Sequence, residues 1–148
     1  MRTIDGLRRS GVGIAPDRTI THAAKIMDVA AVGALAVVDG DDLVGIVTDR
    51  DLVRRGMAAR LSPDARVDSV MSSPVVTIDA EADLHGAFTL FRTHAVRRVA
   101  VVRDGRFVGM ISIDDLLVDL AADLADLARP VTAEILSGHH DAPVPAVP

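Results

Sequence analysis

The stretch Gly45-Ile46-Val47-Thr48-Asp49-Arg50-Asp51-Leu52 runs from an apolar strand pattern into a hydroxyl residue, a carboxylate three positions on, and the apolar face of a helix. It recurs, altered, as Gly109-Met110-Ile111-Ser112-Ile113-Asp114-Asp115-Leu116, 64 residues later. Thr48 with Asp51, and Ser112 with Asp115, have the spacing of a capping box. In that motif the hydroxyl accepts an orphan N–H of the first turn, and the carboxylate reaches back to the cap N–H. A helix start also holds free donors and a positive dipole end, which suit an anion. These pairs can cap, bind, or do both.

Outward from the motif, a shift of 64 lays residues 6–55 over 70–119 without a gap. Ile14 meets Ile78, Ala23 meets Ala87, Val32 meets Val96, and Ala36-Val37-Val38 meets Ala100-Val101-Val102. Chance does not readily give such agreement, so the chain is two copies of one supersecondary unit.

In the first copy, 12–14 reads as a strand. Pro16-Asp17-Arg18-Thr19 is a turn ending in a helix cap, and Ile20, Ala23, Ala24, Met27 and Ala30 recur at helical spacing. Residues 35–38 and 43–47 are apolar runs joined across Asp39-Gly40-Asp41-Asp42, a strong hairpin signal. A helix over 49–57 closes the unit. The second copy repeats the order: a strand over 74–78, a helix burying Leu84, Ala87, Phe88, Phe91 and Ala95, and a hairpin of 99–102 with 107–111. Its last helix carries a stripe of Leu116, Leu117, Leu120, Leu124 and Leu127. Pro130 should end that helix or open a short further one to 136, with Gly138 as a stop. The expected organisation is a unit at 6–57, a polar linker at 58–66, a unit at 67–128, and an extension at 129–148 with a Pro-rich disordered tail. The fold class is α/β of the α+β type. Each unit is strand–helix–strand–strand–helix with one apolar sheet face, so the two should pack through their sheets.

Composition narrows the function. The 148 residues are 49% apolar but only 2% aromatic, which argues against base stacking on single strands. A net charge of −5 provides no global basic field for nucleic acid or anionic membrane. There is no Cys, hence no disulfide, thiolate metal site or Cys nucleophile. No apolar run reaches the roughly 18 residues of a spanning helix, and no leader pattern opens the chain; a cytoplasmic location is expected. No Walker loop, GxGxxG stretch or Ser/His/Asp order stands in a suitable context, so catalysis has little support. His22 and His85 lack partners at metal spacing, and the scattered Met residues read as packing.

The repeated unit, its hairpin and its Gly-hydrophobic-x-[Thr/Ser]-x-x-Asp ending resemble a tandem pair of CBS (cystathionine-β-synthase) domains, a Bateman module of the small stand-alone bacterial type. The resemblance implies two units related by a pseudo-twofold axis, with two clefts between them. It implies a regulatory rather than catalytic role. The ligand would be an adenosyl compound, AMP first, with ADP, ATP, S-adenosylmethionine or NAD as further candidates; no cofactor is required.

Carried over by position, the first cleft would use Ile46, Thr48 and Asp51, with Val75 and Val76 beside the base and Arg97 and Arg98 near phosphate. The second would use Met110, Ser112 and Asp115, with Gly11 and Val12 beside the base. The positions matching Arg97 and Arg98 there are Gly33 and Ala34, so the second cleft is expected to lack a cation and to suit a neutral nucleoside end. Asp49 and Asp114 add negative charge beside the clefts and oppose a polyphosphate. The family also departs here: many members have Pro where this chain has Ala36 and Ala100. The resemblance further implies a homodimer formed through the closing helices, leaving Leu116, Leu117 and Leu120 exposed on a monomer, and an unidentified regulated protein. No nucleic acid or membrane partner is implied, and no metal. The rival reading is a structural dimer with empty clefts, in which both motifs only cap.

Overall fold

The computed structural model describes residues 2–136. Two three-stranded sheets carry the chain. The first holds β1 (Gly13–Ile14), β2 (Ala34–Asp39) and β3 (Asp42–Thr48) in that order; the second holds β4 (Thr77–Asp79), β5 (Arg98–Arg103) and β6 (Arg106–Ser112). In each sheet the first pair is parallel and the second antiparallel. A parallel pair needs a crossover. The crossovers are α1 (Ile20–Ala30) and α3 (Leu84–His94). Closing helices follow: α2 starts at Asp49–Asp51 and continues through Leu52–Met57, and α4 spans Ile113–Leu136.

Local chemistry explains these elements. Thr19 caps α1 by accepting the His22 N–H, and Asp83 caps α3 by accepting the Gly86 N–H. Both helices end on an alanine in the left-handed region, Ala31 (φ 52°) and Ala95 (φ 51°), where glycine is the usual choice. The hairpins turn in two residues, with positive φ at Gly40 in one and at Asp104 and Gly105 in the other, matching the twist of the strands. The same irregularity recurs in both ladders, between Val37 and Val38 and between Val101 and Val102. Ala36 uses its N–H on the Val12 carbonyl, a bond that proline at this position could not make.

Two cores form. One gathers Ile14, Ile20, Ala23, Met27, Leu35, Val37 and Val47; the other gathers Ile78, Ala87, Phe91, Val99, Val101, Ile111 and Leu116. Their borders in space differ from those of the repeat in sequence. Ile4, ahead of the first unit, is buried in the second core, while Val67 and Val70, ahead of β4, are buried in the first. The lead-in to each unit thus packs beneath the other, which ties the halves together.

Several elements depart from their sequence expectation. The strand expected over 74–78 pairs only at Thr77–Asp79. The winding after Asp51 widens, with the Ala58 and Leu61 N–H groups each donating five residues back, to Val53 and Gly56. Pro130 neither ends α4 nor restarts it; the helix runs through to Leu136. Proline removes one N–H, and this segment is exposed, so water can satisfy the freed carbonyl. Leu116 is buried in the second core, not left exposed for association; Leu117, Leu124 and Leu127 are exposed. Gly138, His139 and His140 lie outside the described residues.

Candidate functional site

Two crossings create the clefts. Residue Arg9 pairs with Met110 on β6, exchanging backbone bonds of 2.9 and 3.0 Å. Ser72 pairs with Ile46 on β3 in the same way, at 3.1 and 2.8 Å. Glycine permits these close approaches. A Cβ on Gly109 would stand 2.5 Å from the Arg9 carbonyl oxygen; on Gly45 it would stand 2.4 Å from the Met71 sulfur. Beside each crossing lies a cavity walled by both units.

The first cavity, about 280 Å³, is lined by Ile46, Thr48, Val75, Val76, Arg97 and Arg98, as expected, and also by Arg50, Ser72, Pro74 and Val96. Asp51 is not among its lining residues, a correction to the expected site. Its Oδ2 accepts the Thr48 N–H at 2.9 Å, while Thr48 Oγ1 accepts the Asp51 N–H at 3.1 Å. This is a full capping box, and it satisfies the carboxylate within its own helix start.

The second cavity, about 310 Å³, brings together all five expected residues: Gly11, Val12, Met110, Ser112 and Asp115. It also contains Arg9, Ser10, Arg98 and Asp114. The expectation that this cleft lacks a cation is overturned. Gly33 and Ala34 do line it without charge, but Arg9 arrives from the lead-in segment and donates from Nε to Asp115 Oδ1 at 2.8 Å. Sequence alignment missed Arg9 because the crossing partner of β3 is Ser72, whereas the ungapped shift sets Arg9 against Ser73. One residue of slip in an extended segment turns a side chain to the opposite face.

Asp115 is the more heavily engaged motif carboxylate. Its Oδ2 accepts both the Ser112 N–H (3.0 Å) and the Ser112 hydroxyl (2.9 Å). Burial pushes its carboxyl up, but the Arg9 hydrogen bond and the two Ser112 donors outweigh burial and hold it below the usual carboxylate range. Asp51 has a weaker cationic neighbour, Arg55 at 3.9 Å. Asp49 lies outside both cavity linings; Asp114 lines the second alone. Among the described residues, no group of three His, Cys, Asp or Glu could hold a metal ion. No helix there is long and apolar enough to cross a membrane.

Two repeated α/β units clasping a pair of clefts, each edged by a hydroxyl–carboxylate helix cap, define a tandem-repeat architecture. The chain belongs to the CBS domain family, whose profile matches residues 8–58 and 67–122. It is 34% identical over 106 residues to the CBS domain-containing protein YhcV of Bacillus subtilis, covering 72% of this chain and 76% of that one. It is 34% identical over 119 residues to Hypoxic response protein 1 of Mycobacterium tuberculosis, covering 78% and 83%. Among solved structures, a CBS domain protein from Pyrobaculum aerophilum complexed with AMP matches with a TM-score of 0.71 and 29% identity, over 82% of this chain and 99% of that one. This chain spans most of the length of the two relatives named for their CBS domains.

Proposed function

We propose that this CBS pair is a regulatory module that binds an adenosyl ligand between its units, AMP foremost, and conveys occupancy to a partner protein. One observation carries the reading. Each cavity is walled by residues of both repeats, with a motif hydroxyl among them, so one ligand would touch both halves. Only contacts that differ between two arrangements of the halves can shift their balance. Cavities near 300 Å³ are at the small end for organic ligands and fit a nucleoside better than a dinucleotide such as NAD. The AMP complex of the Pyrobaculum protein supports the choice of AMP.

Isothermal titration with AMP, ADP, ATP, S-adenosylmethionine and NAD tests the proposal. Saturable binding of an adenosyl compound, weakened about tenfold or more by Asp115→Ala, is the expected outcome. Indifference to the whole panel would leave the structural reading in its place. That reading has its own observation: the Arg9 guanidinium already satisfies Asp115 within the chain.

We also propose a homodimer built on the closing helices. Val53 and Met57 on α2, with Leu117, Val118, Leu124 and Leu127 on α4, are all more than half exposed. A second copy laid against this face would cover it. Sedimentation should give twice the chain mass at micromolar concentration, and Leu117→Glu with Leu124→Glu should return it to one. A wild-type chain that sediments as a monomer refutes the dimer.

A further inference from the structure

We propose that the first cleft is a nucleoside polyphosphate site, preferring ADP or ATP to AMP, and that Arg50 is the residue creating this preference. The inference rests on the adenosyl reading above and specifies its ligand class for one of the two clefts.

The two clefts of this one molecule differ in charge. The first cavity is lined by three arginines, Arg50, Arg97 and Arg98, and by no carboxylate. The second is lined by Arg9 and Arg98 but also by Asp114 and Asp115. Arg98 stands on the wall common to both. Whichever cavity receives it, the first remains at least two charges more positive. The two carboxylates expected to oppose a polyphosphate do not enter the first cavity: Asp49 lines neither, and Asp114 lines only the second.

The arginines of the first cleft are also available. Among the described residues neither Arg50 nor Arg98 has an ion-pair partner, and Arg97 has only Asp114 at 3.6 Å, with both side chains more than 70% exposed. Such a surface pair contributes little and is readily exchanged. In the second cleft, by contrast, Arg9 pairs at 2.8 Å with Asp115, whose side chain is only 12% exposed.

The apolar walls, Ile46, Val75, Val76 and Val96, suit the flat faces of a base. The volume of about 280 Å³ accommodates the nucleoside part, which places the phosphates at the mouth, where the exposed arginines stand. A guanidinium offers a planar fork of donors matched to phosphate oxygens. Each phosphate beyond the first adds negative charge that a third arginine can meet. Repeat symmetry makes Arg50 diagnostic, because its counterpart in the second unit is Asp114. The clefts therefore differ by a reversal of charge at one position.

Titration calorimetry with adenosine, AMP, ADP and ATP, without added divalent metal and at two salt concentrations, tests this. At its first cleft the wild-type chain should bind ATP about tenfold tighter than AMP, the gap narrowing as salt rises. Arg50→Gln should remove that gap by weakening ATP while leaving AMP within about twofold, and Arg50→Lys should restore part of it. The thermal midpoint of each variant confirms that the fold is kept. AMP binding as tightly as ATP, or an unchanged ATP-to-AMP ratio in Arg50→Gln, overturns the polyphosphate site while leaving the adenosyl reading intact. Failure of every compound, adenosine included, overturns both.

Discussion

The two clefts come from one repeated motif but are finished with different chemistry. At the second, a motif serine and carboxylate stand inside the cavity, and Arg9 neutralises Asp115 from a neighbouring segment. At the first, no carboxylate lines the cavity, and its wall carries Arg50, Arg97 and Arg98. Arg9, from outside the motif, and the exchange of Arg50 for Asp114 within it make the difference. A duplicated motif therefore guarantees duplicated backbone geometry, because capping and strand pairing depend on the motif's own residues. Electrostatic character depends on the motif's variable positions and on whatever the crossing segments and the opposite unit bring to the cavity.

The comparison breaks most visibly at the two glycines that admit the crossings. At Gly109 an added methyl would meet backbone, the Arg9 carbonyl, which cannot swing away; at Gly45 the nearest atoms belong to the flexible Met71 side chain. Gly109→Ala should therefore cost about 2–3 kcal/mol and Gly45→Ala distinctly less, as read from urea unfolding. Gly6→Ala, which meets nothing within 4 Å, is the control. Equal losses at Gly45 and Gly109 would show that the two crossings are equally rigid.

A smaller effect asks whether the halves are energetically alike away from the clefts. Ala31 and Ala95 end their helices in the left-handed region at equivalent repeat positions. Replacing either by glycine should stabilise the protein by about 1 kcal/mol, by the same amount at both. Unequal gains would place an asymmetry in the scaffold as well as in the clefts.

The smallest effect concerns acid. Asp115 titrates lower when folded than when unfolded, so its contribution is present above the ordinary carboxylate range and lost as pH falls through its folded value. Arg9→Gln removes its principal partner. Unfolding midpoints should then fall less steeply below about pH 4 in the variant than in the wild type. Because the Arg9 side chain is 81% exposed, the neutral-pH loss should be only a few tenths of a kcal/mol. Parallel acid limbs would mean that Arg9 does not hold Asp115 in solution.

Much of this architecture could be read from residue order alone. The gap-free repeat, the Asp-Gly turns, the caps at Thr19, Thr48 and Ser112, and the periodic apolar faces are local signals, because each rests on residues close in the chain. They led to the paired units, the family and the two motif sites. Pro130 misled because a helix-breaking residue is judged as if buried, and here the helix is in solvent. Leu116 misled because a stripe on a helix does not say where its core face ends. Tertiary structure alone decided which unit each lead-in segment packs beneath, and that Arg9 enters the second cavity to meet Asp115. The placing of Arg9 depends on a one-residue offset between two crossings far apart in sequence. In extended chain such an offset chooses the face on which a charge appears, and no local pattern records it.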